Sequence, residues 1–304
     1  MPIKRKRKKI IVSKLGPLSV NHNFKNTHYN HVYSSHLNAQ DIIIKLKKRS
    51  APNFPTTSEA AALRLLNRRG LGPKFIGIDF KKSILIREKI KGRIPKKKSN
   101  RAIMLIAEEF SRIHQIKLSK FGRPFNRQRG NIQDFFKSEK KFLFNFINKL
   151  EPNNIETIKL LRFFIQLDKE TKLIFNGKNI SFSLLNLDLN INNVVIKNKQ
   201  AHFFDWNTAK AGDPAMDIAR FFTLNQLTKT EQTLFYKKYF KENPDLEFIK
   251  RVNIYLPFFN IGQAAEAIFY ITYLKKRHQK QFNNQSIADF KQVKEYSFKE
   301  LNLT

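Results

Sequence analysis

One polar stretch of the chain decides how the rest of the sequence is interpreted. Residues 186–193 read NLDLNINN, and residues 203–219 read FFDWNTAKAGDPAMDIA. Asn193 lies five residues after Asp188, and Asp205 follows twelve residues later, behind a strand-like run. Phosphoryl transfer needs one carboxylate to orient the attacking hydroxyl or accept its proton, and it needs an amide oxygen and a second carboxylate to hold Mg²⁺. Because a tight turn between two short strands would bring Asn193 close to Asp205, the spacing fits that chemistry.

The Asp-to-Asn spacing also has a simpler interpretation, since chance matches to it are common. In a chain rich in Asn, Asp188 and Asn193 could be ordinary turn residues, and Asp205 could be a surface residue. The surrounding sequence favours the catalytic interpretation, because several other segments carry the pattern of one enzyme family.

The segment 203–219 resembles the signature of the aminoglycoside phosphotransferase and choline kinase superfamily. That signature has an Asp-Trp or Asp-Phe pair, a turn of small residues, Gly-Asp-Pro and an Asp-hydrophobic-Ala helix. Residues 58–79 are similar to the choline and ethanolamine kinase segment between the small-lobe helix and the hinge. Residues 88–93 resemble the hinge itself, and residues 106–114 resemble the first helix of the large lobe. The resemblance covers most of residues 20–225.

This resemblance implies an α+β, protein-kinase-like fold with two lobes. The small lobe is an antiparallel β-sheet with one helix, and the large lobe is mainly helical. We expect residues 1–90 to form the small nucleotide-binding lobe, with a basic tail at 1–9, and residues 91–304 to form the helical catalytic and substrate-binding lobe. A Thr/Ser cap and an acid predict a helix that begins at residues 56–59, and Gly70 ends it. Strand patterns lie at residues 41–46, 75–79, 83–90, 182–187, 194–197 and 201–204.

Carried over position by position, the resemblance also implies roles for single residues. Asp188 is the implied catalytic base or substrate-orienting carboxylate, and Asn193 and Asp205 are the implied Mg²⁺ ligands. The main chain at the hinge, from Glu88 to Ile90, is implied to contact adenine. ATP and Mg²⁺ are therefore the expected cofactors, and a small-molecule alcohol is the expected partner.

The implied phosphate-binding residue is Lys45, whose ammonium is a point charge suited to the α- and β-phosphates. Glu59 is implied to pair with Lys45 and to fix its position. Two alternatives stay open. Lys47 or Lys48 would be the partner of Glu59 if the strand is shifted, and Glu59 could instead only favour the dipole of its own helix.

The sequence departs from the family pattern at two places. The family has His two residues before the catalytic Asp, where this chain has Asn186. The loop that covers the phosphates is usually rich in Gly, whereas residues 21–35 contain none. Asn can form hydrogen bonds and tolerates left-handed turns, so we expect an active enzyme. A regulatory pseudokinase remains an alternative.

The expected acceptor is an amino alcohol such as choline or ethanolamine, and thiamine or an aminoglycoside is the alternative. Eukaryotic choline kinases cage a quaternary ammonium with Trp side chains, but this chain has one Trp, Trp206. Its C-terminal helices instead carry Tyr255, Phe258, Phe259, Phe269, Tyr270 and Tyr273. Glu266 lies at helical spacing from several of these rings, so Glu266 and Tyr270 are candidate substrate-binding residues. Ordinary core packing is the alternative for each ring.

The chain is strongly basic. Its 304 residues include 58 Lys and Arg against 24 Asp and Glu, which gives a net charge of +34. A charge of this size attracts polyanions, so the tract Lys4–Lys9 could bind nucleic acid nonspecifically. The abundance of Lys, Asn, Ile and Phe also fits AT-rich codon usage, which would spread Lys over solvated surfaces without a function. A purely nucleic-acid-binding module would not need Asp188, Asn193 and Asp205 together.

Two absences from the sequence exclude whole classes of protein. The chain has no Cys, which excludes a disulfide scaffold, a Cys-ligated zinc site, an iron–sulfur cluster and a thiol nucleophile. No window approaches the roughly 18 apolar residues that a membrane-spanning helix needs. The basic start is not followed by a secretory signal, so we expect a cytoplasmic chain.

Overall fold

The computed structural model of the chain describes residues 8–12, 16–26, 30–48, 56–95, 98–123, 126–128, 130–171, 175, 179–241, 243–277 and 284–303. The chain divides into two compact units. Unit 1 comprises Met1–Gln128, Phe182–Pro214 and Leu227–Pro244, and unit 2 comprises Arg129–Ser181, Ala215–Gln226 and Asp245–Thr304. The lobe boundary that the sequence predicts at residues 90–91 stays a prediction.

The described strands are β1 (Lys8–Val12), β2 (Gly16–Asn26), β3 (Asn30–Leu37), β4 (Gln40–Lys47), β5 (Phe75–Asp79), β6 (Ile84–Glu88), β7 (Lys117–Leu118), β8 (Phe121–Arg123), β9 (Asn126–Gln128), β10 (Phe182–Leu185), β11 (Val194–Lys197), β12 (Gln200–Phe203) and β13 (Lys210–Gly212). The described helices are α1 (Thr56–Asn67), α2 (Asn100–Ile113), α3 (Ile132–Ile147), α4 (Ile155–Thr171), α5 (Pro214–Leu224), α6 (Lys229–Tyr239), α7 (Leu246–Arg277) and α8 (Asn284–Glu300).

Unit 1 contains a six-stranded antiparallel sheet with the order β1-β2-β3-β4-β6-β5. Side chains alternate between the two faces of a strand. One face carries the cluster formed by Tyr33, Ile42, Ile44, Ile84 and Ile86. The intervening positions of β4 and β6 therefore point to the other face, and Lys45 is one of them.

Helix α1 begins with the predicted cap region and ends shortly before Gly70. Ala60, Ala62, Leu63 and Leu66 are buried, and Glu59 is buried with them in the first turn. The side chain of Asn67 orders the turn that follows, because its Nδ2 donates to the main-chain oxygen of Pro73 at 3.0 Å and its Oδ1 accepts from the N–H of Phe75 at 2.6 Å. Gly70 has a φ of +67°, a left-handed conformation that Gly adopts without strain. Helix α1 is thus tied directly to β5.

The remainder of unit 1 fixes the segments that carry the polar motif. Strands β11 and β12 form an antiparallel hairpin, and a second sheet has the order β7-β10-β13-β8-β9. The ring of Phe110 on α2 packs edge-to-face against Phe203 at the end of β12, with 4.9 Å between the centroids. Such aromatic contacts anchor the hairpin immediately before Asp205.

Unit 2 is built around aromatic side chains. The ring of Phe136 lies 4.8 Å from Phe175, 5.5 Å from Tyr255 and 5.1 Å from Phe258, measured between centroids. Tyr255 and Phe258 are both buried. Core packing therefore accounts for these two aromatic residues of the C-terminal helices.

Two further expectations concern the membrane and the basic tract. None of the helices in the described part of the chain combines the length and the apolar character that crossing a bilayer requires. Of the tract Lys4–Lys9, residues 4–7 lie outside the described residues, and Lys8 and Lys9 begin β1. Nucleic-acid binding by this tract stays a prediction.

Candidate active site

Lys45 is the centre of a buried cluster of charged side chains in unit 1. Its Nζ donates to Oε2 of Glu59 at 2.7 Å and to Oδ1 of Asp205 at 3.0 Å. Oδ1 of Asn207 lies 3.5 Å from the same ammonium. Lys45 is 5% exposed. Because an ammonium has three donors, all of them face side-chain oxygens.

The position of Lys45 decides which lysine of β4 is the partner of Glu59. Lys47 and Lys48 lie half-buried at the end of this strand region, and Lys45 makes the ion pair. Burial lowers the pKa of Lys45, but attraction by Asp205 and Glu59 outweighs it and raises the pKa above its ordinary value. The ammonium is therefore charged.

Glu59 reaches Lys45 from the first turn of α1. The carboxylate is 1% exposed, so it is far from the solvated position that a surface acid favouring its own helix dipole would take. Its Oε1 is buried and forms no hydrogen bond with any described residue. A buried carboxylate is costly unless it is paired, so the ion pair with Lys45 holds both side chains in place.

Asp205 follows β12 and has a φ of +70°, in the left-handed region that only a few residue types tolerate. Trp206 is fully buried and donates from Nε1 to the main-chain oxygen of Phe203 at 3.1 Å, which holds this turn. Burial raises the pKa of the Asp205 carboxyl, but Lys45 and Arg87 outweigh it and hold that pKa below its ordinary value. The carboxylate is 29% exposed, so it is accessible from one side.

Asn186 links the two loops that carry the acidic residues. Its Nδ2 donates to the main-chain oxygen of Asp205 at 3.1 Å, and its Oδ1 accepts from the N–H of Asp188 at 3.0 Å. Thr208 donates from its hydroxyl to the main-chain oxygen of Asn186 at 2.6 Å. Asn186 is fully buried. The residue that replaces the family's His thus braces both loops.

Asp188 and Asn193 lie on the loop between β10 and β11. Asp188 is exposed. Nδ2 of Asn193 lies 3.4 Å from the main-chain oxygen of Asp188, which directs the amide toward the same loop. The main-chain oxygen of Asn193 accepts from the N–H of Phe204 at 3.1 Å, next to Asp205. The hairpin β11–β12 therefore brings Asn193 close to Asp205, as its spacing suggested.

Main-chain hydrogen bonds hold both ends of the hinge segment that follows β6. The N–H of Lys89 donates to the main-chain oxygen of Asp41 at 2.9 Å. Arg93 and Ile196 exchange two main-chain hydrogen bonds of 2.9 and 2.8 Å. Between these anchors, the main chain of Ile90 forms no hydrogen bond to any residue that the structure describes. Ile90 therefore has the free main-chain groups that the adenine-binding prediction requires.

The oxygen donors fit a magnesium ion. Among the described residues, no three His, Cys, Asp or Glu side chains lie together, so this part of the chain offers no site in which three such side chains alone enclose a metal. Asp205 and Asn193 supply a carboxylate and an amide oxygen, which are hard ligands. Mg²⁺ is commonly held by one or two such side chains and completes its octahedron with water and substrate phosphates. The donor set thus suits Mg²⁺ better than a softer metal.

Comparison with known proteins identifies the family. A model described as the phosphotransferase enzyme family matches residues 24–250 of the chain. The chain belongs to this phosphotransferase family. The α+β, protein-kinase-like fold predicted from the sequence is confirmed, and so is a phosphotransferase with an alcohol group as acceptor. A comparison with curated proteins found no significant sequence match.

Solved structures resemble the phosphotransferase at low sequence identity. Choline kinase LicA from Streptococcus pneumoniae has a TM-score of 0.65 and 19% identity, over 94% of each chain. An ethanolamine kinase from Plasmodium vivax has a TM-score of 0.63 and 15% identity, over 94% of this chain and 82% of that one. Amicoumacin kinase hAmiN, in complex with AMP-PNP and Ca²⁺, has a TM-score of 0.64 and 14% identity, over 95% of this chain and 90% of that one. At these identities the likeness establishes the fold alone.

Sequence reasoning missed three polar residues of the site in the phosphotransferase. Asn207 faces Lys45, and its main-chain N–H bonds to Asp205. Thr208 supports Asn186. Arg87 is buried in β6, and its charge acts on Asp205. A charged residue within the otherwise apolar run Ile84-Leu-Ile-Arg87 was a signal that could have found it.

The candidate acceptor residues of the phosphotransferase lie on α7 in unit 2. Glu266 is exposed. Tyr270 stacks on Phe290 of α8, with 4.8 Å between the ring centroids and 15° between the planes. Phe269 is 39% exposed and lies 5.5 Å from the ring of Tyr270. Packing between α7 and α8 therefore accounts for one face of the Tyr270 ring. The acceptor roles of Glu266 and Tyr270 stay predictions.

Proposed function

We propose that this phosphotransferase moves the γ-phosphoryl group of ATP, with Mg²⁺ as the metal, to a hydroxyl of a small amino alcohol such as choline or ethanolamine. The observation that carries the proposal is the convergence of Lys45 on Glu59 and Asp205, at 2.7 and 3.0 Å, in one buried cluster. A solvated surface lysine needs neither partner. A lysine that binds nucleotide phosphates needs an acid to fix it beside the metal-binding carboxylate.

Asp188 is the residue proposed to act on the acceptor. It is exposed, while its main-chain N–H is held by the buried Asn186. A carboxylate in this setting can accept a hydrogen bond from the attacking hydroxyl, orient it and take its proton as the new P–O bond forms and the bond from the γ-phosphorus to the bridging oxygen of the departing ADP breaks. The hydrogen bond to Asn186 positions this loop, and phosphoryl transfer depends on such positioning.

Lys45 must exchange partners to bind phosphate. Its three donors face Glu59, Asp205 and Asn207. The bond to Glu59 is the shortest and fixes the side chain, whereas the longer contacts can be replaced by phosphate oxygens. When bound, the metal supplies charge neutralisation at the phosphates, and Asp205 and Asn193 would hold it. Lys45 released from Asp205 then adds a positive charge on the nucleotide side.

The choice of acceptor rests on the sequence resemblance and on the structural neighbours. The sequence blocks at 58–79 and 88–93 are similar to those of choline and ethanolamine kinases, and three of the structural neighbours bear those names. Other neighbours are named aminoglycoside phosphotransferases. Aminoglycosides are therefore one alternative acceptor, and thiamine, which the sequence resemblance suggests, is the other.

The decisive experiment is a screen of Mg²⁺-dependent ATP consumption over choline, ethanolamine, thiamine, aminoglycosides and simple sugars. We expect turnover with an amino alcohol and its loss in Asp205→Ala. Asp168→Ala is the matched control, because Asp168 also pairs with a lysine, Lys140, but is not among the site residues. ATP turnover by a folded Asp205→Ala variant at the wild-type rate would overturn the metal assignment. No turnover of any acceptor, with intact ATP binding, would favour the pseudokinase.

A further inference from the structure

Arg87 is a second buried cation on the Lys45 face of the sheet, and the proposed phosphotransfer gives it no role. On β6 it lies opposite Ile43 of β4, and Ile43 and Lys45 share one face because alternate residues of a strand do. Opposed residues of antiparallel strands point to the same side. Arg87 therefore points to the same side as Lys45, and it is 8% exposed.

Two contacts hold the guanidinium in place. Nη1 donates to the main-chain oxygen of Glu88 at 3.0 Å, at the start of the hinge. The guanidinium carbon lies 5.4 Å from the ring centroid of Phe204, the residue before Asp205. Arg87 thus spans from the hinge to the loop of the metal-binding acid, and the ring contact is favourable for a cation.

The side chains of Arg87 and Glu59 each leave one buried polar atom unsatisfied. Nε of Arg87 has a hydrogen to donate, and Oε1 of Glu59 can accept one, yet neither forms a hydrogen bond with the residues that the structure describes. Burial lowers the pKa of the Arg87 guanidinium below its ordinary value, and the carboxylates of Glu59 and Asp205 oppose that shift, Glu59 more strongly. One atom is a donor and the other an acceptor, so the two unsatisfied groups are chemically complementary.

The charges of this cluster balance only when Arg87 is counted. Lys45 pairs with the carboxylates of Glu59 and Asp205, and both carboxylates attract the charge of Arg87. With Lys45 alone, one ammonium would have to neutralise both acids. A buried carboxylate without a counter-charge is strongly unfavourable, so Lys45 would be held by the protein rather than offered to a phosphate.

We propose that Arg87 is a positioning residue of the phosphate site: its buried guanidinium compensates part of the charge of Glu59, so that Lys45, still bonded to Glu59, keeps its other donors available for the nucleotide. The inference rests on the proposed function, because it assumes that Lys45 binds phosphate. Arg87 acts through Glu59 and Lys45 and need not touch the nucleotide.

The test is equilibrium binding of AMP-PNP with MgCl₂ in the absence of an acceptor, measured by calorimetry on the full chain. Arg87→Met keeps the length and apolar contacts of the side chain but removes its charge, and we expect the dissociation constant to rise about tenfold, as for a partly buried charge pair. Arg87→Lys restores the charge and should bind within about threefold of the wild type. Arg64→Met is the matched control, since Arg64 is an exposed arginine whose guanidinium carbon lies 4.7 Å from the ring centroid of Phe75.

A double-mutant cycle tests whether Arg87 acts through Glu59. In a Glu59→Gln background there is no carboxylate to neutralise, so Arg87→Met should change the dissociation constant by less than about twofold. Full additivity of the two substitutions would overturn the inference, because it would mean that Arg87 acts on its own.

The other possible results of the AMP-PNP binding experiment also test the role of Arg87. Wild-type affinity in a folded Arg87→Met variant overturns the inference. If that variant does not fold, Arg87→Lys carries the test, and a tenfold loss of affinity in folded Arg87→Lys would show that charge is not the property that matters. A wild-type protein that binds no AMP-PNP would instead overturn the proposed function, and this inference with it.

Discussion

Asn186 donates a hydrogen bond from Nδ2 to the main-chain oxygen of Asp205 at 3.1 Å, across a separation of 19 residues in the chain. The same side chain accepts from the N–H of Asp188. One buried amide therefore sets the spacing between the proposed catalytic loop and the proposed metal-binding loop. The site depends on this link because both acids lie on turns rather than inside regular strands or helices.

Asn186→Ala should lower kcat of the ATP-dependent reaction by about tenfold or more and destabilise the protein by about 1–3 kcal/mol, since it leaves buried main-chain groups without partners. Asn186→His, which introduces the family's residue, should retain more activity because an imidazole can form hydrogen bonds. Steady-state kinetics and urea unfolding of both variants check this. Equal activity of Asn186→Ala and wild type would show that the two loops hold their geometry without the amide.

Gly92→Ala should perturb the hinge. A Cβ at Gly92 would lie 2.5 Å from Cγ1 of Val195 and 2.6 Å from the main-chain oxygen of Ile196. Because the main chain cannot yield as a side chain can, the pairing of Arg93 with Ile196 must shift, at a cost of about 1–3 kcal/mol. We expect KM for ATP to rise more than KM for the acceptor.

The control for this hinge substitution is Gly262→Ala on α7. The nearest atom that its Cβ would meet is Cδ1 of Leu143 at 3.7 Å, an ordinary contact. Ala is favoured over Gly inside a helix by roughly 0.5–1 kcal/mol, so this variant should be neutral or slightly more stable. Unchanged ATP kinetics and an unchanged unfolding midpoint in Gly92→Ala would contradict the hinge argument.

Glu109 on α2 makes stability depend on pH. Burial raises the pKa of this carboxyl to about 7 from an ordinary 4.5, with the ion pair to Arg112 acting in the opposite direction. Between pH 4.5 and about 7, the folded protein therefore keeps a proton on Glu109 that the unfolded chain has released. Stability contributed by the protonated form is present below pH 4.5 and is lost as pH rises through about 7.

Glu109→Gln should flatten the dependence of the free energy of unfolding on pH. In the wild type, the stability lost between pH 4.5 and neutral pH through Glu109 is at most about 3 kcal/mol. Urea unfolding at several pH values from acidic to slightly alkaline measures it. Glu108→Gln is the control, because Glu108 is the neighbouring acid on α2 and its side chain is 42% exposed. The same slope in wild type and Glu109→Gln would refute the assignment.

Glu266→Gln tests the class of acceptor. If Glu266 binds a cationic amino alcohol, as the sequence predicts, its charge pairing is present before and during transfer, so its loss should raise KM by about threefold and leave kcat nearly unchanged. Glu247→Gln, at an exposed glutamate in the first turn of the same helix, is the control. An unchanged KM, or an acceptor without a positive charge, would exclude the cationic interpretation and leave the kinase assignment in place.

Some elements of the fold could not be predicted from the sequence. Strands β7, β8 and β9 are two to three residues long and carry no alternating pattern. They form because of strand pairing: β7 pairs with β10, β8 pairs with β13, and β9 pairs with β8. Strands β2 and β3 include the polar, Gly-free segment 21–35; they pair with each other, and β3 also pairs with β4. Pairing of this kind is a tertiary property and overrides weak local preference.

The sequence by itself determined the family, the fold class and the set of residues proposed for chemistry, because fixed spacings such as that from Asp188 to Asn193 are local. Only the tertiary structure decided which of these residues meet. Lys45 lies 14 residues from Glu59 and 160 residues from Asp205 in the chain, yet its ammonium contacts both. It also decided that Arg87 is buried on the Lys45 face of the sheet. Burial and strand register set which charges pair, and neither can be read from charge composition, because a lysine or arginine in a sequence has the same charge whether it ends in water or inside the protein.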